Sequence, residues 1–386
     1  MKTYGNSLFI GLAILFSLSL IHVQAHAKEQ SQQKSMPAVQ MILLTEEKPT
    51  PQPKPNVAFV TSAAYTGNLG GLAGADQKCQ SLAEAAGLPA NAYKAWLSTS
   101  SVNAIDRLGA ARGWVRVDGK PFADTKEDIA AGKIYHPLRV DENGAVRYRN
   151  GVRTGTSPDG TKASYGTTCG DWTSSSNLEW VATGGTDGVT AVYTSSGANT
   201  CQDESCLYCF GVNHSSLVTV NPVAGRIAFM TQNSWIPSTG LAAADGLCQS
   251  EANSASLSGT FKALLADVGY SAASRFNLSG LPWVRPDSVA IAPTAAELFS
   301  ADYLNTAICQ SADGTQYLGG YVVWGVALDP NTAGTLESTC SNWTSSGSAN
   351  YARAGRSGYA SHAGGYFGGN SDPCNVAWYH LYCLQE

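Results

Sequence analysis

The chain contains 386 residues and carries a formal net charge of −5. This acidic balance, without a strongly basic region, argues against a nucleic-acid-binding protein, which needs a clustered basic surface. Beyond the N-terminus no apolar run is long enough to span a bilayer, and the remaining length is sufficient for two domains with one hydrophobic core each.

The N-terminal segment is typical of a secretory signal. Lys2 provides a short positive region, residues 8–21 form an apolar run, and residues 25–27 (Ala-His-Ala) fit a small-x-small cleavage site. The apolar run is shorter than the ~20 residues that a membrane-spanning helix needs. Residues 1–27 are therefore predicted to be a cleaved signal peptide, and the mature chain is expected to be secreted, periplasmic or at the cell surface, without a transmembrane segment.

Residues 28–56 follow as a segment rich in Gln, Ser, Lys and Pro, and this segment ends in a run of alternating prolines. Such a run favours the extended polyproline II conformation. We therefore expect a disordered, semi-rigid linker that holds the following domains away from a surface or a partner.

The rest of the chain consists of two copies of one pattern, residues 57–213 and residues 226–386, with a connector over residues 214–225. The matching segments are 72–80 with 241–249, 93–97 with 261–265, 114–116 with 283–285, and 169–175 with 340–346. A period this long indicates a duplicated domain, since the units of a solenoid have only about 20–50 residues.

Both copies are expected to fold in the same order. A strand opens each copy, at residues 57–62 or 227–231, and a helix follows, on which Leu72 and Cys79 lie at helical spacing. A second short helix is expected over residues 101–108. Short strands, turns and long loops then lead to a last strand with the sequence Leu-Tyr-Cys. This order predicts the α+β class, with two helices and an antiparallel, loop-rich sheet in each copy.

Export makes disulfides the expected state of the ten cysteines. Four cysteines in each copy have counterparts in the other: Cys79, Cys169, Cys201 and Cys209 in the first, and Cys248, Cys340, Cys374 and Cys383 in the second. The sequence alone allows three pairings of each set of four. Cys206 and Cys309 have no counterpart, and they either bridge the two domains or remain free thiols.

The order of the cysteines resembles that of the C-type lectin-like fold. One cysteine lies on the first helix, one lies just before a Trp-Thr-Ser-Ser turn, one lies in the loop before the last strand, and one lies on that strand. The resemblance implies the pairs Cys79–Cys209 and Cys169–Cys201 in the first copy, and Cys248–Cys383 and Cys340–Cys374 in the second.

A second resemblance rests on residues 59–80, 93–97, 152–156, 169–173 and 207–210. These segments are similar to a bacterial domain family of unknown function that is itself similar to endostatin and includes the leptospiral endostatin-like surface proteins. The second copy resembles the family more loosely. The resemblance implies two tandem C-type lectin-like domains and a macromolecular partner such as a matrix protein, a serum protein or a glycan, although a fold does not fix a function.

The sequence contains no recognisable catalytic set. Motifs of the Gly-x-Ser-x-Gly, His-Glu-x-x-His and phosphate-loop types are absent, and the four histidines of the mature chain are not clustered. Asp171 and Asn342 each precede a Trp, and we interpret them as structural turn residues. The prediction is a protein that is not an enzyme and has no cofactor and no recognisable metal site, with calcium binding left open.

Residues 345–374 differ from the rest of the chain in composition. They are rich in Tyr, Ser, Gly and Asn and contain two Arg, as an antibody paratope does. The predicted ligand-binding residues are Tyr351, Arg353, Arg356, Tyr359, His362, Tyr366 and Phe367. The alternative is a Gly-rich loop that packs on its own domain. The counterpart, residues 174–201, contains Trp180 and Tyr193 but no Arg, so the two domains are not expected to share one ligand.

These observations together predict an exported, non-enzymatic binding protein, either an adhesin or a surface recognition module for a host or envelope macromolecule. One alternative is a structural module of the envelope or periplasm that has no specific ligand. A third is a hydrolase with an unrecognised carboxylate site.

Overall fold

The first strand of each copy lies beside the last, so that both ends of the copy meet in one sheet. The computed structural model describes residues 54–386 except 149, 320, 325–328 and 362–369. Within these residues the fold is α+β, with mixed and antiparallel sheets, few helices and four disulfides. None of the described helices has the length and apolar character needed to cross a bilayer.

The first copy forms two sheets. Its strands are β1 (Asn56–Val60), β2 (Tyr93–Ala95), β3 (Trp114–Arg116), β4 (Pro121–Ala123), β5 (Gly151–Arg153), β6 (Trp180–Gly185), β7 (Gly197–Thr200) and β8 (Tyr208–Gly211). The larger sheet has the order β2-β8-β1-β3-β4, and the smaller has the order β5-β6-β7. In the larger sheet β1 pairs antiparallel with β8 and parallel with β3. Ala58, Phe59 and Val60 are completely buried there, as the apolar run of β1 requires.

The helix after β1, α1 (Gly71–Ala85), packs through Ala75, Cys79 and Ala83. These residues recur every four positions, so they lie on one buried face. Cys79 faces β8, where it forms a disulfide with Cys209. The helix therefore lies against the strand that ends the first copy.

The second helix predicted for the first copy is largely absent. Residues 101–108 contain only a 3₁₀ turn, Ile105–Leu108. A short helix, α2 (Lys126–Ala130), forms later in the chain and begins with a capping box in which Thr125 and Asp128 exchange hydrogen bonds. The cap, rather than apolar periodicity, determines where this helix starts.

The second copy repeats the strand order of the first. Its elements are β9 (Arg226–Met230), α3 (Leu241–Ser254), β10 (Phe261–Ala263), β11 (Trp283–Val284), β12 (Tyr321–Trp324), β13 (Tyr351–Arg356), β14 (Asn370–Pro373) and β15 (Tyr382–Gln385). The sheets have the orders β10-β15-β9-β11 and β12-β13-β14. In the described residues β4 has no named counterpart, and its place is taken by a single bridge between Val284 and Ala290.

Four disulfides join the pairs that the lectin-like resemblance implies. Cys79–Cys209 and Cys248–Cys383 connect the first helix of each copy to its last strand, across sequence separations of 130 and 135 residues. Cys169–Cys201 and Cys340–Cys374 close shorter loops, with separations of 32 and 34 residues. Four disulfides indicate an oxidising, extracytoplasmic location.

The bridge considered between Cys206 and Cys309 does not form. Both cysteines are free and buried. Asn150 donates to the Cys206 sulfur at 3.9 Å, and Arg285 donates to the Cys309 sulfur at 3.4 Å. Burial raises the pKa of both thiols, so they are protonated side chains of the interior.

Each inner disulfide begins at a single helical turn with left-handed backbone angles, Cys169–Trp172 or Cys340–Trp343. In the second turn φ is 50° at Cys340 and 63° at Trp343. Trp172 and Trp343 are fully buried, and their indole N–H groups donate to the carbonyls of Ser98 and Ala266 at 2.9 and 2.8 Å. A left-handed conformation disfavours each non-glycine residue by about 1–2 kcal/mol, which the disulfide and the buried indole offset.

The two copies contact each other through equivalent turns, which follow β6 and β13. Gly188 and Tyr359 occupy the same position in the two copies, and they form an antiparallel bridge. The Val189 N–H donates to the Gly358 carbonyl at 2.8 Å, and the Ala360 N–H donates to the Asp187 carbonyl at 2.9 Å. Because equivalent residues face each other, the contact relates the copies by an approximate two-fold axis.

Candidate functional site

The predicted recognition segment contributes the middle strand, β13, and the edge strand, β14, to the smaller sheet of the second copy. Along β13 the side chains of Ala352 and Ala354 are buried, while Tyr351 and Arg353 lie on the other face. This alternation follows from the two-residue period of a strand. β13 pairs with β14, where Arg353 lies opposite Ser371.

Tyr351 and Arg353 line an open groove of about 460 Å³. Tyr351 is 44% exposed, so its ring is accessible to a ligand. The other lining residues are Thr335, Glu337, Ser338, Ala349, Asn350 and Ser371. The groove thus presents an aromatic ring, a guanidinium group, a carboxylate and several hydroxyl and amide groups, which suits a polar ligand with a surface that can stack.

One wall of the groove, residues 335–339, is held by its own hydrogen bonds. The Thr335 N–H donates to the Ser338 hydroxyl at 3.0 Å, and the Thr339 hydroxyl donates to the Thr335 carbonyl at 2.6 Å. Thr339 also bridges to Ala352 of β13. The wall is therefore attached to the strand that carries the aromatic ring.

The Cys340–Cys374 disulfide joins the end of this wall to the residue that follows β14. Next to it, the Cys374 N–H donates to the Asn350 carbonyl at 2.9 Å, and the Asn350 amide donates to the Ser345 hydroxyl at 2.7 Å. Fewer conformations remain to be ordered when a ligand binds to a groove that is braced in this way.

The remaining predicted ligand-binding residues do not line this groove. Arg356 is exposed at the end of β13. Tyr359 lies in the turn that pairs with Gly188 of the first copy, so its backbone belongs to the contact between the copies. His362, Tyr366 and Phe367 lie outside the described residues.

The first copy has a different surface at the equivalent place. Trp180 stands where the second copy has Tyr351 and is 54% exposed, and the neighbouring Leu178 is 84% exposed. Ala182, the counterpart of Arg353, is buried. Both copies therefore expose an aromatic ring at the start of the middle strand, but only the second adds a cation.

Asp171 and Asn342 act as structural acceptors in their turns. The Asp171 carboxylate accepts the Ser100 N–H at 2.8 Å and the Ser100 hydroxyl at 2.6 Å. These hydrogen bonds lower the pKa of Asp171. The Asn342 side-chain oxygen accepts the Val268 N–H at 3.0 Å. Among the residues that the structure describes, no three metal-binding side chains come together.

Sequence reasoning missed several lining residues, notably Glu337, Ser338 and Ser371. Glu337 and Ser338 lie far from Ser371 along the chain and none of the three belongs to a motif, so only the contacts of β13 with its neighbours bring them together. The exposed ring of Tyr351 and the charge of Arg353 were recognisable from the composition of the segment alone.

No known protein-family model matches this chain, and no curated protein matches it at a significant level. The geometry of the site and the location indicated by the disulfides therefore carry the functional argument.

Proposed function

We propose that this protein is an exported binding protein, an adhesin or surface recognition module, that holds a macromolecule in the groove of its second copy. The observation that carries the proposal is the exposed Tyr351 ring beside Arg353 in a groove of about 460 Å³. Tyr and Arg are enriched among residues that dominate binding energy.

The rigidity of the groove supports the proposal. Internal hydrogen bonds hold the wall over residues 335–339, and the Cys340–Cys374 disulfide joins the end of this wall to the residue after β14. A preorganised surface loses less conformational entropy on association, so few contacts suffice for measurable affinity.

Two further observations favour an extracellular or envelope ligand, such as a matrix protein, a serum protein or a glycan. The four disulfides suit secretion, a periplasmic location or display at the cell surface. The pairing also agrees with tandem C-type lectin-like domains, a scaffold that commonly presents binding loops. An envelope module without a specific ligand is the competing function.

The proposal is tested on an array of immobilised glycans, matrix proteins and serum proteins. We expect saturable binding to at least one component, and an affinity about tenfold weaker or worse after the combined change Tyr351→Ala with Arg353→Ala. Trp180→Ala, at the equivalent exposed position of the first copy, is the matched control and should leave the affinity unchanged.

The absence of saturable binding on the whole array would favour the envelope module. Equal affinity of the Tyr351→Ala/Arg353→Ala variant and the unaltered protein would exclude this groove as the recognition surface. Because Tyr351 is exposed, the single variant Tyr351→Ala should keep its unfolding midpoint, and its loss of affinity distinguishes a lost contact from a lost fold.

A further inference from the structure

A second groove lies between the two copies, away from the recognition groove. It has a volume of about 460 Å³, within the range of small-molecule sites. Its opposite walls are equivalent hairpins. In one the Arg116 N–H donates to the Lys120 carbonyl at 2.9 Å, and in the other the Arg285 N–H donates to the Val289 carbonyl at 2.9 Å. Lys120 and Val289 therefore occupy the same position and face one groove from its two sides.

The connector between the copies forms the third wall. The Val218 N–H donates to the Asp124 carboxylate of the first copy at 2.8 Å, and the Val223 N–H donates to the Ser288 carbonyl of the second copy at 3.4 Å. Leu217, which also lines the groove, is 67% exposed. The connector is thus attached at both ends and presents an apolar side chain beside the opening.

The lining is largely apolar, with polar side chains from Thr219, Asn221, Ser288 and Asn305 among the apolar ones. Its apolar members are Val115, Pro121, Leu217, Val218, Val220, Val223, Val289 and Ala290. The ionisable lining residues are Lys120 and His136, and no carboxylate belongs to the lining. In an acidic chain, a groove with a lysine and without Asp or Glu selects against cations.

Lys120 has no carboxylate partner among the described residues. Its amine lies 3.4 Å from the Asn305 side-chain oxygen, a long hydrogen bond. Burial and the charges of Arg116 and Arg139 lower the pKa of Lys120, against the opposing effect of Asp118. The Asp118 carboxylate is itself paired with Arg116. A bound anion would supply the negatively charged partner that the Lys120 amine lacks.

His136, the other ionisable residue of the lining, adds no positive charge to the groove. Its Nδ1 donates to the Pro121 carbonyl at 2.9 Å, so Nε2 is the acceptor of the ring. Burial lowers the pKa of His136 to about 3, and the ring is neutral at physiological pH. Lys120 is therefore the single cationic side chain in the lining.

We propose that this groove binds a small amphipathic monocarboxylate, with its carboxylate at Lys120 and its aliphatic chain between Leu217 and Val289. The charge of the lysine and the apolar side chains that form most of the lining both match such a molecule. This ligand differs from the macromolecule assigned to the recognition groove, and the two sites can be tested independently.

Binding of decanoate to the purified protein, followed by titration calorimetry, tests the proposal. We expect one saturable site, with decanol binding at least about tenfold more weakly because it lacks the charge. Lys120→Glu should weaken decanoate binding by about tenfold or more, whereas Lys120→Arg should retain it. Leu217→Ser should weaken binding several-fold through loss of an apolar contact.

Lys162→Glu is the matched control, because it makes the same change in charge at an exposed lysine outside the groove and should leave decanoate affinity unchanged. Failure of the unaltered protein to bind decanoate, equal affinity for decanoate and decanol, or unchanged affinity in Lys120→Glu would each overturn the proposal. The decanol comparison needs no substitution, so the result does not depend on how a variant folds.

Discussion

The two copies share the same sheets, first helix and disulfides, and they differ at surfaces that face solvent or the other copy. Asp76 pairs with Arg107 in the first copy, and Asp245 pairs with Arg275 in the second. In both, the aspartate also accepts the N–H of the last residue of the strand after the helix, at 3.0 and 2.9 Å. These ion pairs are scaffold, because each fixes the first helix to the sheet of its own copy.

Three differences concern the two grooves. Lys120 is matched by Val289, so the wall from the first copy brings a lysine into the groove between the copies and the wall from the second copy brings a valine. His136 is matched by Thr306, so only the first copy contributes a buried imidazole to this region. In the groove that contains Tyr351, Arg353 has only a buried alanine, Ala182, as its counterpart in the first copy. Duplication thus gave the two copies a shared scaffold, and single substitutions on it placed a lysine, an imidazole and an arginine in one copy only.

The largest expected change in the free energy of unfolding comes from removing the outer disulfide of either copy, and it tests whether these disulfides stabilise the two copies equally. Removing the outer disulfide, by Cys79→Ala with Cys209→Ala or by Cys248→Ala with Cys383→Ala, should lower the free energy of unfolding by about 5 kcal/mol in the chain-entropy model. The effects should be similar, since the sequence separations are 130 and 135 residues. Chemical denaturation measures both. Losses that differ by several kcal/mol would show that these disulfides do not stabilise the two copies equally.

Lowering the pH should reduce the free energy of unfolding through His136, which has no histidine counterpart in the second copy. The pKa of His136 is about 3 in the folded protein because the ring is buried, and Arg116, Arg285 and Lys120 oppose its protonation as well. In the unfolded chain the imidazole binds a proton near pH 6.5. The neutral, buried imidazole therefore makes its full contribution to the free energy of unfolding above that pH, and the contribution is lost as the pH falls toward 3. Between pH 6.5 and about pH 4 the loss is on the order of 3 kcal/mol.

The His136→Asn variant isolates this contribution. Unfolding free energies measured at several pH values should fall less steeply in the variant than in the unaltered protein below about pH 6.5. Parallel pH profiles would mean that the imidazole is protonated in the folded state, contrary to its burial.

A smaller effect tests the contact between the copies. Gly358 lies in the paired turn, and a Cβ there would come within 2.6 Å of a Val192 methyl and 3.0 Å of the Thr190 hydroxyl. Gly358→Val should therefore lower the free energy of unfolding by about 1–3 kcal/mol. Differential scanning calorimetry should show the copies beginning to unfold separately. A single transition at an unchanged temperature would mean that this turn does not couple them.

The smallest effect distinguishes the two long helices. Gly246, inside α3, has open space where a Cβ would be, so Gly246→Ala should raise the free energy of unfolding by about 0.5–1 kcal/mol. In α1, a Cβ at Gly74 would lie 2.1 Å from the Leu69 carbonyl, and Gly74→Ala should destabilise. Denaturant midpoints measure both, and the same sign for the two changes would contradict this difference in packing.

Local patterns in the sequence predicted much of the scaffold. The apolar runs at residues 57–62 and 227–231 became the central strands β1 and β9, and the spacing around Cys79 became a buried helix face. The sequence alone left three pairings of each set of four cysteines open, and the disulfides have the pairing that the C-type lectin-like resemblance implies. The helix expected over residues 101–108 was reduced to a 3₁₀ turn, since only Leu108 of that turn is buried.

The structure places the predicted site residues in different parts of the second copy. Tyr351 and Arg353 share a groove, while Tyr359 lies at the contact between the copies. Composition identified the segment but could not separate these residues, because strand pairing and the approach of the first copy decide which part of the segment remains open.

The sequence by itself determined the duplication, the α+β order of elements and the set of matched cysteines, since each follows from periodicity or spacing along the chain. Only the tertiary structure decided that Cys206 and Cys309 remain apart, that equivalent turns join the copies, and that Lys120 faces Val289 across a groove. These features depend on contacts between residues far apart in the chain, and such contacts exist only after both copies have packed together.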